Sequence, residues 1–406
     1  MSCKIKHGNI TFQGEQLKKI EIKKECDLLS VSLIESVCDF ELNVSKDEEA
    51  VFDDNEPFVI YNGNKAEMVT YLETYKRTGA KSWSIATRDS IGRLENFEFE
   101  GDVYFEKNAK ELIEEIFAKT DIQVVMSEDI ANMVVSGQVP YTTCREALSH
   151  VLFALGCYAR PAVLNGSACV EIKQYYENTQ RTPETIPASR VLSGVISVAS
   201  QKVYGVEVIS HGYESSEENT HYGFKFPYRK AGEPTYFVTK YIDFDPPVDA
   251  STIRKLGGVY EGKVEIVRSS ANFVELLLES INSSNSSWNI FAREYVHTEE
   301  IQGKYSSTSN NGQIIAVEGK TLVNNENIND VIERCYEYYI NPKELSAKVV
   351  IGKHVADDGT VTFDNDVQCG DMVTIPTDYQ GTYTGRVIKE QYNLNGNIII
   401  KEITVK

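Results

Sequence analysis

The chain has 406 residues and a formal net charge of −19 at pH 7, with 41% hydrophobic and 25% charged residues. That length exceeds one ordinary core and fits about two to four domains. The acidic balance argues against a protein that grips nucleic acid through its phosphates, which needs clustered Lys and Arg, but it is compatible with DNA sliding past an acidic wall.

The opening residues MSCKIKHGNITFQGEQ lack the basic, apolar and small-residue succession of a signal peptide. No run approaches the ~18 apolar residues of a membrane span, so synthesis and retention in a cytosol are expected. Residues 3 to 95 hold alternating β-branched and aromatic runs (KIEIKK, LLSVSLIE, CDFELNV, PFVIYN, EMVTYLETY, SWSIAT), the pattern of an antiparallel barrel or sandwich. A first β domain over 1–96 follows. Residues 97 to 186 change to a small α/β unit. Asn108 with Glu111 forms a capping box ahead of Leu112, Ile113, Ile116 and Phe117 on one helical face. Thr143 with Glu146 opens a second helix, whose Leu148, Val151, Leu152 and Leu155 face inward and which stops at Gly156. The strands DIQVVM and SACVEIKQYY complete the unit, and QRTPETIPAS breaks periodicity after it.

Strand alternation resumes in VLSGVISVASQKVYGVEVISHGYE. A second β domain is expected over 187–215 and 325–406. Between them, 216–324 reads as a β-rich insertion with loop-like runs SINSSNSSW and SSTSNNG. One further helix, about 327 to 340, places Ile328, Val331, Ile332, Cys335 and Tyr339 on one side and ends before Pro342. The fold class is therefore mainly β with α+β insertions: two tube-like antiparallel β-barrel domains plus smaller α/β and β-rich domains.

Residues 56 to 88 and 370 to 405 look like one unit written twice: an extended run, a polar loop, a strand and a hairpin. Tyr75 and Tyr392 each precede a turn glycine by four residues, Gly79 and Gly396. Each glycine is followed four residues later by Trp83 or Ile400 and eight later by Thr87 or Thr404. The glycines are expected at positive φ in tight turns, and Trp83 and Ile400 in equivalent cores.

Candidate chemistry is sparse. The eight cysteines are scattered without C-x-x-C and read as free thiols, so sequons such as Asn9 and Asn285 carry no weight. Six histidines stand apart, with no H-E-x-x-H, phosphate loop or nucleophile elbow. Cys144 and His150 fall on nearly opposite helix faces, which disfavours a thiolate pair. Asp364 and Asp366 open like a calcium loop whose remaining ligands are missing, so they read as a polar turn. No metal, cofactor or catalytic residue is expected. In ENFEFEGD, Phe97 and Phe99 alternate with Glu98 and Glu100, so one strand face there is uniformly acidic.

The stretches TTCREALSHVLFALGCYARP, VLSGVISVASQKVYGVEVISHG and CGDMVTIPTDYQGTYTGRVIKEQYNL resemble the central baseplate hub proteins of phage tails and related contractile injection machines. The resemblance covers most of the chain. It implies a homotrimer whose two β domains per subunit present six similar modules around a channel, matching a sixfold tail tube to a threefold spike. The implied partners are the tail tube protein, a spike or needle protein, a tape-measure protein and a LysM-bearing tail protein. DNA would pass through the channel without specific binding, with Glu98 and Glu100 as candidate channel-facing acids. The implied location is the virion tail baseplate. With no spike repeat or lysin domain in the sequence, those functions would lie on other chains. Two rival readings are a tail-associated cell-wall hydrolase and a carbohydrate-binding β protein, the latter through Tyr222, Tyr228 and Tyr236.

Overall fold

A computed structural model describes residues 3–406 apart from 44–51, 54, 177–181, 200–201, 256–262, 283–286, 308–311, 356–360, 365, 380 and 395–397. Strands take 58% of residues and helices 14%, so hydrogen-bonded ladders carry the fold.

The first region contains β1 (Lys4–His7), β2 (Ile10–Gln13), β3 (Leu17–Glu25), β4 (Val37–Asn43), β5 (Phe58–Asn62), β6 (Lys65–Arg77) and β7 (Ser82–Arg88). Strict alternation fixes their faces: β4 and β7 bury every second residue, which places Cys38, Phe40 and Leu42 opposite Thr87, Ile85 and Trp83. LLSVSLIE, expected as a strand, is not one. Asp27 accepts the backbone N–H of Leu29 and Ser32, and Ser30 takes a left-handed φ of 56°. A turn held by a side chain thus replaces a ladder.

The α/β unit contains α1 (Ser90–Arg93), β8 (Glu98–Phe99), β9 (Asp102–Asn108), α2 (Ala109–Phe117), β10 (Gln123–Val125), α3 (Glu128–Ala131), β11 (Val134–Val139), β12 (Thr142–Thr143), α4 (Cys144–Leu155), β13 (Cys157–Leu164) and β14 (Ser167–Gln174). Asn108 and Thr143 accept the Glu111 and Glu146 N–H groups as caps, and Gly156 ends α4 at φ 68°. Helix α4 is buried on more than its predicted face, since Ser149, His150 and Phe153 are also inaccessible.

Next come β15 (Glu184–Thr185) and β16 (Val191–Val198). The insertion contains β17 (Val203–Lys225), β18 (Phe237–Asp243), β19 (Val248–Lys255), β20 (Val264–Ser269), β21 (Phe273–Glu279), β22 (Ser287–Tyr305) and β23 (Gln313–Val317). Strand β17 pairs with β22 from Gly205 to Lys225. The domain boundary expected at 215/216 therefore falls inside one strand, and 203–215 belong to the insertion's sheet. Helix α5 (Ile328–Ile340) packs on it through Val331, Ile332 and Cys335, with Val206, Val208, Leu29 and Phe153.

The chain closes with β24 (Lys343–Val355), β25 (Val361–Asp364), β26 (Met372–Pro376), β27 (Thr382–Asn393) and β28 (Ile399–Val405). These do not form a sheet of their own. One 14-stranded sheet runs β16-β24-β28-β27-β3-β4-β7-β6-β5-β1-β2 with β15, β25 and β26 alongside, over a single continuous core from Ile5 to Val405.

Candidate assembly interface

The large sheet is built from one four-stranded unit used twice. In the first module β3, β4, β7 and β6 are neighbours in that order; in the second, β16, β24, β28 and β27. Each first strand carries a one-residue bulge, at Lys18 in β3 and at Leu192 in β16. The long strands are bulged too, at Glu73 in β6 and Ile388 in β27. Bulges re-aim a strand and set its register, so the four matched bulges fix an unambiguous equivalence. By it Thr87, Ile85 and Trp83 correspond to Val405, Ile403 and Lys401, and β5 corresponds to β26.

The sequence alignment was thus displaced. Trp83 is buried, but Ile400 is 45% exposed on the opposite face of its strand. Tyr75 corresponds to Glu390, and Tyr392 corresponds to Arg77. Gly79 lies in the turn 78–81 without a positive φ, and Gly396 lies outside the described residues.

The two modules meet where β27 pairs antiparallel with β3, Lys389 opposite Glu25 through Asn393 opposite Glu21. On the outer face Lys389 pairs with Glu25 at 3.1 Å and Gln391 donates to Glu21 at 2.7 Å. On the core face Lys24 lies 4.0 Å from Glu390, which the joint buries completely. This joint has a counterpart without a strand ladder among the described residues, although the Asp378 N–H reaches the Gly194 carbonyl on the β16 side at 3.2 Å. The equivalent of β27 is β6, whose end 71–77 pairs, among the described residues, with β7 alone; the equivalent of β3 is β16, which among them pairs with β24 alone. At the core-face position where the joint sets Glu390 against Lys24, both of these edges carry an apolar residue. Tyr75, in the place of Glu390, is 49% exposed, and Val198, in the place of Lys24, is 61% exposed. Leu192 and Val195 add to the β16 edge. Exposed apolar edges of this kind are templates for pairing with another chain.

The face of this sheet turned away from the core carries paired charges: Lys19 with Glu21 at 2.7 Å, Lys348 with Glu402 at 2.6 Å, and Lys23 with Asp39 at 3.9 Å. The predicted acids Glu98 and Glu100 lie elsewhere, where the α/β unit meets the insertion. Glu98 accepts the Tyr141 hydroxyl at 2.5 Å, and Glu100 is shared by Arg268 at 3.1 Å and Lys119 at 3.4 Å. The strand face read as uniformly acidic is therefore partly neutralised.

The remaining sequence candidates do not converge. Tyr222 packs on Phe244 and donates to Glu294 at 2.7 Å, whereas the Tyr236 hydroxyl is taken by the Tyr228 carbonyl. Burial pushes the Cys144 thiol up to about 11 and lowers His150. Asp366 accepts Lys401 at 2.8 Å and Lys65 at 2.9 Å, and the side chain of Asp364 lies outside the described residues. Lys401 also donates to Glu390 at 2.7 Å, inside the core. Burial opposes charge on Asp366, but the Lys401 and Lys65 ammonium groups outweigh it and bring the carboxyl down to about 2. Sequence reading missed this cluster, although Lys401 stands between Ile399 and Ile403 at the strand period.

No protein-family model matches the chain, and no curated protein matches it. Solved structures share its fold along nearly its whole length. The 43 kDa tail protein of prophage MuSo2 from Shewanella oneidensis superposes with a TM-score of 0.54 at 10% identity, over 100% of this chain and 98% of that one. A tail protein from Neisseria meningitidis MC58 gives 0.54 at 11% identity, over 100% and 96%. Prophage tail protein gp18 from Listeria monocytogenes EGD-e gives 0.51 at 8% identity, over 99% and 94%. The chain therefore has the fold of these phage tail proteins.

Proposed function

We propose that the chain is a structural hub of a phage-type tail, assembled as a ring by repeating its internal joint between subunits. The observation that carries this reading is the counterpart of the β27–β3 joint, the edges 74–77 of β6 and 196–199 of β16, which have no second ladder among the described residues. Transferring the register of the joint sets Thr74 opposite Ala199, Tyr75 opposite Val198, Lys76 opposite Ser197 and Arg77 opposite Ile196 of the next subunit. An aromatic and a β-branched side chain would then close over each other, a favourable cross-strand pair. Each head-to-tail contact generates a ring when the rotation closes. Three subunits would place six like modules around a channel, which suits a sixfold tube protein on one side and a threefold spike on the other. The outward face of the sheet, with its charges paired, would line that channel and let DNA pass without binding it. This role needs no catalysis, in keeping with the fold shared with tail proteins.

The test is a double variant, Tyr75→Cys with Val198→Cys, in the full chain. Mild oxidation should yield covalent trimers on a non-reducing gel, and native mass spectrometry of the unmodified protein, alone or with its spike partner, should show the same stoichiometry. Monomers in both measurements would overturn the ring. A zymogram on bacterial cell wall addresses the rival hydrolase: no clearing is expected, and clearing lost on changing one Asp, Glu or Cys would replace this reading.

A further inference from the structure

The β17–β22 ribbon brings three ligating side chains onto one face. His211 stands directly opposite Glu299 in the ladder, and Tyr213 directly opposite His297. His211 Nδ1 lies 3.0 Å from His297 Nε2 and 3.5 Å from Glu299 Oε1, and His297 Nε2 lies 3.8 Å from that same oxygen. Three atoms so spaced share a point about 2 Å from each, the bond length of Zn²⁺ to imidazole nitrogen and carboxylate oxygen. We infer that His211, His297 and Glu299 form a binding site for a divalent transition-metal ion, of which Zn²⁺ best matches two imidazoles and a carboxylate.

The geometry is held in place by its surroundings. His297 is on the surface, yet its ring is held from two directions: Tyr213 stacks on it at 4.7 Å and 5°, and His211 meets its Nε2 edge at 3.0 Å with the two rings 11° from parallel. The Tyr213 hydroxyl donates to Gln138 Oε1 at 3.1 Å, which anchors that stack to the α/β unit. His211 is buried, which holds its ring in place beside the two surface ligands. Its other nitrogen, Nε2, has no hydrogen-bond partner among the described groups and would carry the ring proton once Nδ1 holds the ion. With three protein ligands, a fourth position is left for water or for a side chain of a partner. The ion would brace the two long strands where the insertion docks on the α/β unit.

The experiment uses the full chain, stripped with chelator and kept reduced. Titration with Zn²⁺ by calorimetry should show one site per chain with micromolar or tighter affinity. Co²⁺ should give visible ligand-field bands without thiolate charge transfer, which separates this site from the cysteines. His297→Ala and Glu299→Gln, both surface changes, should each weaken Zn²⁺ binding by about 30-fold or more while leaving the circular dichroism spectrum unchanged. Absence of a one-to-one site, a thiolate signature, or affinity unmoved by both substitutions would overturn the assignment.

Discussion

The two modules solve one packing problem with opposite chemistry. Near the start of its last strand the first module buries Trp83, ringed by Phe52 at 6.2 Å and Tyr75 at 5.9 Å. At the equivalent position the second buries Lys401, held by Glu390 at 2.7 Å, Asp366 at 2.8 Å and the Val367 carbonyl at 3.0 Å. What the modules have in common is therefore the ladder, with its bulges and cross-strand partners. The interior can be aromatic or ionic provided the buried charges are paired.

The largest expected effect comes from breaking the ionic version. Lys401→Met removes the cation between two carboxylates, one of them fully buried, and should lower stability by about 4 kcal/mol, read as a fall in the denaturant midpoint. Adding Glu390→Gln should restore part of the loss. A change under about 1 kcal/mol for the single variant would mean that the cluster is hydrated and the comparison wrong. Trp83→Ala should cost slightly less, about 3 kcal/mol, because the exposed side of Tyr75 and its neighbours can collapse into the gap.

These positions also show how far the sequence could be read. Alternation revealed the strands of both modules, since apolar residues at every second place are a direct consequence of one buried face. It also indicated a duplication, but in the wrong register. Five residues (78–82) separate Arg77 from Trp83, whereas eight (393–400) separate their equivalents Tyr392 and Lys401, so no single spacing aligns both strands. The insertion was legible as β-rich, but not its long ribbon: β17 and β22 are polar and exposed for much of their length, and polarity without alternation does not reveal a strand's length or partner. His211, His297 and Glu299 are 86 and two residues apart, a separation that only the ladder register resolves.

A smaller effect distinguishes the modules by pH. Asp366 has a folded-state pKa lowered to about 2 against roughly 3.9 when unfolded. A depressed carboxyl stabilises the fold above its unfolded pKa, and that contribution, about 2 kcal/mol, disappears as pH falls from about 4 to 2. Lys401 is raised by Glu390 and Asp366 against the opposing pull of burial, so its contribution persists through neutral pH and is lost only in strong alkali. Denaturant midpoints followed from pH 7 to 2 should fall steeply below pH 4 in the parent chain. In Lys401→Met the fall should begin at higher pH, because Asp366 then keeps only Lys65. Identical acid limbs would remove the cluster from the account.

The smallest effect concerns the position where cation and ring exchange places. In the first module Arg77 lies on the outside, 5.8 Å from the Trp83 ring centre, and donates to the turn carbonyls of Gly79 at 3.1 Å and Ala80 at 2.9 Å. In the second module the cation is inside, Lys401 Nζ lying 4.7 Å from the ring centre of Tyr392. An exposed cation–π contact contributes about 0.5 kcal/mol, and hydrogen bonds to a solvated turn add little more. Arg77→Ala should therefore shift the unfolding midpoint of the isolated chain by less than about 1 kcal/mol. The same residue sits on the bare edge, opposite Ile196 of the next subunit in the proposed register. Its substitution should consequently weaken assembly more than folding, visible as ring dissociation at a protein concentration where the parent remains whole. A loss of folding stability above about 2 kcal/mol with assembly unchanged would show that Arg77 belongs to the core of its module and that the β6 edge is not a joint.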